Sequence, residues 1–163
     1  MNISSTFWMV LIAVGALVVA VANIQYNSAR EAENRKAKSD QAKALLHPEL
    51  ERNQALLGRM RTAIESGDVP TEPFDTTAWK TISGSELVLG LPNENLANLL
   101  EVYRLLNQAN DLLARVLEST VGIMSALGNS AQTRQLFLRQ LSSVIDRLDS
   151  QLKPLIEWSK ESV

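Results

Sequence analysis

The sequence predicts an all-α protein: one N-terminal transmembrane helix that continues into a stalk, then an antiparallel bundle of three to four helices. Three observations predict this class. Residues 6–24 carry no charge, two later segments place apolar residues three or four positions apart, and the 163-residue chain contains only 7 glycines and 5 prolines. Apolar residues at that spacing are typical of helices packed on one face, and glycine and proline are the residues that most often interrupt helices.

The composition excludes several classes of function. The chain has no cysteine, so disulfides, thiolate zinc sites, iron–sulfur clusters and cysteine nucleophiles are ruled out. Residues 44–163 contain eleven Lys or Arg against fifteen Asp or Glu. A mildly acidic body without a basic stripe argues against nucleic acid as a partner.

The uncharged segment 6–24 predicts a membrane anchor in residues 1–26. Nineteen residues extend about 28 Å as a helix, close to the ~30 Å hydrocarbon core of a bilayer. The segment is apolar on every face, unlike an amphipathic core helix. Phe7 and Trp8 stand near one end, and Ile24 and Tyr26 at the other. Aromatic residues at both ends suit the two membrane interfaces.

A cleaved signal sequence is the alternative interpretation of this segment. The residues Ala20–Ala22 read AVA, which resembles a signal-peptidase site. However, Met1–Thr6 contains no Lys or Arg, whereas a secretory signal normally begins with a positive charge. We therefore predict an uncleaved, single-pass anchor in contact with the lipid bilayer.

Basic residues after the anchor predict its orientation. Five of them lie within twenty residues of the apolar segment and none precede it: Arg30, Arg35, Lys36, Lys38 and Lys43. The positive-inside rule then places the N-terminus outside and residues 27–163 in the cytoplasm, at a cell inner membrane. The same five side chains are predicted to lie at the anionic membrane surface.

The remaining chain divides into a stalk and a helical body. Residues 27–47 are polar and favour helix, which predicts a basic helical stalk. Proline disfavours helical geometry in the residue before it, so His47-Pro48 is predicted to interrupt this helix and to begin the cytoplasmic bundle 48–163. A helix from Pro48 to about Ser66 should follow, ended by Gly67.

The second half of the body predicts two long helices. Residues 67–92 hold three of the five prolines and three glycines, and are predicted to form a connector with short helical turns. Helices should run from Asn93 to about Leu127 and from Ala131 to Lys160, joined by a turn at Gly128-Asn129. Pro154 is predicted to kink the last helix or end its regular part.

No catalytic, cofactor-binding or metal-binding residue is predicted. The single histidine, His47, stands beside a proline and has no second histidine to share a metal. Glu49 and Glu51 are two positions apart and cannot face each other on a helix. We expect a protein that is not an enzyme, with no cofactor and no small-molecule substrate evident.

Five residues are predicted to have structural roles. Asn53 and Asn110 interrupt apolar rows, and we hypothesise that they bond each other, or one backbone, and so fix helix register. The alternative is that both amides reach water. Phe74 and Trp79 should fold inward as a plug over the bundle, with Tyr103 in an apolar row; a ligand pocket at Trp79 is the alternative.

Three short segments together resemble a known group of proteins. They are ELERN (Glu49–Asn53), PFDTTAW (Pro73–Trp79) and YRLLNQAN (Tyr103–Asn110). In this order they resemble a loose group of uncharacterised prokaryotic proteins, in which a membrane span precedes a small helical domain. The likeness covers roughly residues 45–115, and F-x-T-x-A-W is its most specific motif. It implies domain organisation and carries no activity.

These features favour a non-enzymatic scaffold or accessory subunit that acts through protein–protein contacts, with a protein partner or self-association. Two alternatives stay open. One is a membrane-tethered sensor or regulatory bundle, which requires a cavity near Trp79 and a continuous stalk. The other is a small subunit of a larger membrane complex, in which the span is the main contact surface.

Overall fold

The computed structural model describes residues 3–120 and 130–161, and the side chains of residues 12–120 and 131–161. This part of the chain is all-helical, as predicted, and its first helix includes the long apolar segment. The elements in order are α1 (Ile3–Ser66), α2 (Thr77–Ser83), a 3-10 helix (Glu86–Gly90), α3 (Asn93–Thr120) and α4 (Ser130–Lys160). The side chains of Phe7 and Trp8 and the predicted turn at Gly128-Asn129 lie outside the described residues.

The chain divides into two compact units, Met1–Ala37 and Lys38–Val163. Among the described residues, one helix, α1, is long and apolar enough to cross a membrane, and none of its most apolar stretch is buried. Ile24 is 68% exposed and Tyr26 is 67% exposed. The basic side chains Arg30, Arg35 and Lys36 are exposed as well.

The predicted interruption at His47-Pro48 is wrong, because α1 continues through both residues to Ser66. Pro48 has no N–H to donate, so the carbonyl of Ala44, four residues earlier, has no hydrogen-bond partner within the helix. Both residues are exposed, so water can replace the missing donor. Leu46 and Leu50 on either side are fully buried, and their packing outweighs the local preference of proline.

The second unit is built on one hydrophobic core to which α1, the connector, α3 and α4 all contribute. Each fully buried aliphatic side chain contributes about 1.5–3 kcal/mol to folding. The largest fully buried side chains are Tyr103, Leu46, Leu50, Leu57, Met60, Ile82, Leu99, Leu105, Leu106, Leu141, Ile145 and Leu148.

Side-chain pairs show how α3 and α4 are aligned. Arg147 Nη2 lies 3.1 Å from Glu101 Oε1, and the Arg115 guanidinium lies 6.0 Å from the centre of the Phe137 ring. Partners in α4 therefore fall in number as residues in α3 rise, which is the pattern of antiparallel neighbours.

The contacts of α1 with α4 follow the same pattern. Lys43 Nζ lies 5.1 Å from the centre of the Trp158 ring, and Arg61 Nη2 lies 3.1 Å from Asp146 Oδ1. Lys43 is only 9% exposed, and its predicted place at the membrane surface stays a prediction. Its aliphatic stem is packed in the helical unit, and its charge rests on an aromatic face. Lys38 pairs with Glu86 at 2.8 Å.

Pro154 does not end α4, which continues to Lys160. Pro154 is exposed, whereas Leu152, Leu155 and Ile156 around it are buried. As at Pro48, tertiary packing of the apolar neighbours maintains a helix that local propensity alone would interrupt.

Candidate functional site: a buried polar clasp

The connector begins where α1 ends in a glycine-dependent cap. Gly67 has a φ of 82°, a conformation that residues with a Cβ rarely adopt. Its N–H donates to Ile64 O at 3.2 Å, and Asp68 N donates to Ala63 O at 2.8 Å. This pair of bonds is the Schellman arrangement, which satisfies the last carbonyls of the helix and turns the chain away from α1.

Asn53 of α1 holds the connector at Asp75. Its Oδ1 accepts from Asp75 N at 2.9 Å, and its Nδ2 donates to Asp75 O at 2.7 Å. Asn53 is fully buried, so both halves of its amide need partners. The Asn53 side chain therefore pairs with the N–H and C=O of one connector residue, as a neighbouring β-strand would.

Asn110 of α3 makes the same pair of bonds one residue earlier. Phe74 N donates to Asn110 Oδ1 at 2.8 Å, and Asn110 Nδ2 donates to Phe74 O at 3.0 Å. Four consecutive backbone groups of the connector are thus paired with two asparagine side chains from two helices. The two asparagines hold one connector backbone, at adjacent residues; their predicted role in fixing helix register stays a prediction.

Glu49 of α1 supplies the acceptors for the start of α2. Its Oε2 accepts from Ala78 N at 2.5 Å, and its Oε1 accepts from Trp79 N at 3.4 Å. Thr76, the residue before α2, makes no side-chain cap bond. The first N–H groups of a helix lack partners within the helix, and here a carboxylate from another helix provides them.

Tyr103 of α3 is the fourth side chain of this network. Its hydroxyl donates to Glu49 Oε1 at 2.5 Å, and its ring stacks on Trp79 with centroids 5.0 Å apart and planes 10° from parallel. Burial and the bond to Glu49 raise the pKa of the Tyr103 hydroxyl far above its ordinary value. The group therefore stays protonated and remains a donor over the whole physiological pH range.

The Asp75 carboxylate makes the remaining contacts of the network, on the side that faces solvent. Its Oδ1 accepts from Thr77 N at 3.0 Å, and Arg52 Nη1 lies 2.7 Å from its Oδ2. The bonds from Thr77 and then the charge of Arg52 lower the pKa of the Asp75 carboxyl below its ordinary value. The carboxylate is thus held in its charged form.

We define the connector clasp as Glu49, Asn53, Tyr103 and Asn110 with the backbone of residues 74–79 that they hold. It unites all five residues that the sequence predicted as structural: Asn53, Phe74, Trp79, Tyr103 and Asn110. Sequence reasoning missed Glu49, although it lies four residues before Asn53 and so on the same helix face. That spacing, together with the ELERN segment, was the available signal.

The clasp is an arrangement for holding backbone. Each of its polar side chains is occupied by a partner within the protein, and the Trp79 ring, 9% exposed, is covered by Tyr103. A separate groove of about 220 Å³ lies between α1 and the start of the connector, where Arg59 and Glu72 line it. Among the described side chains, no group of three or more His, Asp or Glu residues is placed to hold a metal ion.

Comparison of the chain with protein-family models, curated proteins and solved structures returns no match. The geometry of the two units is therefore the basis for assigning a function.

Proposed function

We propose that this protein is a non-enzymatic, single-pass membrane-anchored helical bundle that serves as a scaffold or accessory subunit through protein–protein contacts. The observation that carries this proposal is the exposed apolar segment of α1. None of its most apolar stretch is buried, although the second unit buries a core of apolar side chains. A contiguous exposed apolar surface of this size needs a bilayer or a protein to cover it.

The clasp supports the scaffold part of the proposal. Glu49 and Asn53 are buried, and with Tyr103 and Asn110 they fix the path of the connector rather than a reactive group. Buried polar networks with every member paired make a fold rigid and specific. A rigid body with charged outer helix faces suits a protein that presents a surface to a partner.

The proposed orientation places the N-terminus outside and the helical unit in the cytoplasm, at a cell inner membrane. It is supported by the positions of the five basic residues after the apolar segment. The burial of Lys43 in the folded unit leaves this argument intact, because the charge rule acts while the chain inserts, before tertiary packing forms.

A reporter fused after Val163 tests this orientation. Cytoplasmic activity, with no periplasmic activity, is the expected result. A matched fusion after Ala44, which keeps all five basic residues, should report the same side, because both points follow the span and its positive charges. Periplasmic activity after Val163 would contradict the orientation, and with it the cytoplasmic partner set.

Purification of the full chain in mild detergent, followed by crosslinking, tests the mode of action. Stoichiometric co-purifying proteins are expected for an accessory subunit, and a defined homo-oligomer for a self-associating scaffold. A chain that crosslinks neither to itself nor to another protein in its native membrane would contradict the proposal.

A membrane-tethered sensor is the second candidate, favoured by one observation. α1 is a single helix from Ile3 to Ser66, which supplies the continuous stalk that a sensor requires. The stacking of Trp79 on Tyr103 opposes the ligand cavity that the same reading requires. A small molecule that changes the tryptophan fluorescence of the full chain, but not that of a Trp79→Phe variant, would favour the sensor over the scaffold.

A further inference from the structure

His47 is the only histidine of the chain, and it lies in a defined polar contact between α1 and the last turn of α4. Its Nδ1 is 2.8 Å from Ser159 Oγ, and its Nε2 is 3.4 Å from Glu51 Oε1. The imidazole is 19% exposed, and Ser159 is fully buried. Histidine is the side chain whose ordinary titration falls between pH 5 and 8.

The proton positions in this contact follow from the bonding of Ser159. A serine hydroxyl has one hydrogen to donate, and Ser159 Oγ donates it to Ile156 O at 2.8 Å. Its oxygen must therefore accept from His47, so Nδ1 carries a hydrogen. In the neutral ring, Nε2 is then an unprotonated acceptor facing the Glu51 carboxylate, which is also an acceptor.

We infer that His47 is a proton-dependent latch between α1 and the C-terminal turn of α4. Protonation places a hydrogen on Nε2, so the ring donates to Ser159 and to Glu51 at the same time. A repulsive contact becomes a charge-assisted hydrogen bond. The latch therefore tightens when the ring carries both hydrogens and loosens when Nε2 loses its hydrogen.

The charged groups around the ring decide the sign of this effect. Glu51 meets the imidazole directly, and the C-terminal end of α4 carries the negative end of the helix dipole, which favours a cation. Lys43, one turn earlier on α1, opposes protonation, but its ammonium lies over the Trp158 ring. On α4, Glu157 and Lys160 pair with each other at 3.2 Å, so their charges offset.

Hydrogen exchange of the full chain in mild detergent tests the latch. After correction for intrinsic exchange rates, amides of residues 155–161 should exchange about two- to five-fold more slowly at pH 5.5 than at pH 7.5, the range expected for one partly exposed ion pair. His47→Gln should abolish the difference, and Glu51→Gln should reduce it to the part that the helix dipole supplies. Lys153→Gln, on the exposed side of the same helix, should preserve it. Equal protection at both pH values in the unaltered chain would overturn the inference.

Nitrogen-15 NMR of the single imidazole gives a second, independent readout. At pH 8 the neutral ring should carry its hydrogen on Nδ1, and Ser159→Ala should shift the population toward the Nε2–H form. A neutral ring protonated on Nε2 in the unaltered chain would overturn the proton assignment, and with it the latch.

Discussion

At the scale of single residues, Glu49 supplies hydrogen-bond acceptors for the first N–H groups of α2. Such acceptors usually come from the residues at the start of the helix itself. The side chain of Thr76 makes no cap bond at the start of α2, so the N–H groups of Ala78 and Trp79 depend on Glu49. The same carboxylate receives the Tyr103 hydroxyl. One side chain of α1 thereby connects the connector, α2 and α3.

Glu49→Ala should lower the free energy of unfolding by about 3 kcal/mol, because it leaves buried donors of Ala78, Trp79 and Tyr103 without acceptors. Chemical unfolding of the full chain in mild detergent, followed by tryptophan fluorescence, measures the change. Glu65→Ala, an exposed carboxylate on the same helix, should change stability by less than about 0.5 kcal/mol. Equal effects of the two substitutions would contradict the role of Glu49.

Tyr103→Phe keeps the stacking on Trp79 and removes only the hydroxyl, so its cost near pH 7 should be about 1 kcal/mol. The pH dependence has a definite sign. The pKa of Tyr103 is raised in the folded protein, so above about pH 10 the unfolded chain loses a proton that the folded chain keeps.

Stability contributed by Tyr103 is therefore present below about pH 10 and is lost as the pH rises further. Unfolding measured at pH 8 and pH 11 should show a smaller alkaline loss for Tyr103→Phe than for the unaltered chain. An identical alkaline loss in both proteins would show that the Tyr103 hydroxyl is not held protonated by the fold.

At the scale of elements, the connector backbone at Phe74 and Asp75 is stabilised by side chains instead of a neighbouring strand. Asn53 and Asn110 pair with four consecutive backbone groups at Phe74 and Asp75. Backbone groups near a protein interior must find partners, and these amides provide them without any β-sheet. The segment is thereby fixed to both α1 and α3.

Asn110→Leu should destabilise the protein by about 1–3 kcal/mol, because the N–H and C=O of Phe74 lose their partners. Faster hydrogen exchange at residues 74–76 should accompany the loss. Asn107→Leu, at an exposed position of α3, is the matched control and should leave that exchange unchanged. The register role of Asn110 would be wrong if Asn110→Leu left folding and oligomeric state unaltered.

Replacing Pro48 should raise the stability of the protein, whereas the substitutions described above should lower it. Pro48→Ala restores a backbone donor for the Ala44 carbonyl inside α1 and removes the poor helix propensity of proline, so it should stabilise the helical unit by about 1–3 kcal/mol. Pro92→Ala, immediately before α3, should give no such gain, since proline is tolerated at helix starts. A destabilised Pro48→Ala protein would indicate that the proline shapes α1 in a way that the packing requires.

Local signals predicted the element boundaries well where they depend on backbone chemistry. α1 ends at Ser66 before Gly67, and α3 begins at Asn93 after Pro92, as expected from capping rules. The wrong prediction at Pro48 and the helix end that Pro154 does not produce have one cause: distant apolar contacts outweigh a local preference, and those contacts are not visible in a short window. Glu49 was missed for the same reason, since its partners at Ala78, Trp79 and Tyr103 are distant in sequence.

At the scale of the whole molecule, the two units differ in what surrounds their apolar residues. The core residues of the second unit pack on one another, whereas the apolar stretch of the first is unburied within the chain. A chain that starts at Lys38 should therefore remain in solution without detergent and keep its helical circular dichroism. Loss of helical circular dichroism in that shortened chain would show that the second unit depends on the first.

The wide sequence separation of the contacts made by α1 has a consequence for biosynthesis. Glu49 meets Tyr103 across 54 positions, and His47 meets Ser159 across 112. The apolar face of α1 thus leaves the ribosome long before its partners, and contacts of such long range form late. If the apolar segment is inserted into a membrane during synthesis, the chain is tethered there while its body is still unfolded, so a chaperone that protects α1 has to act at the membrane.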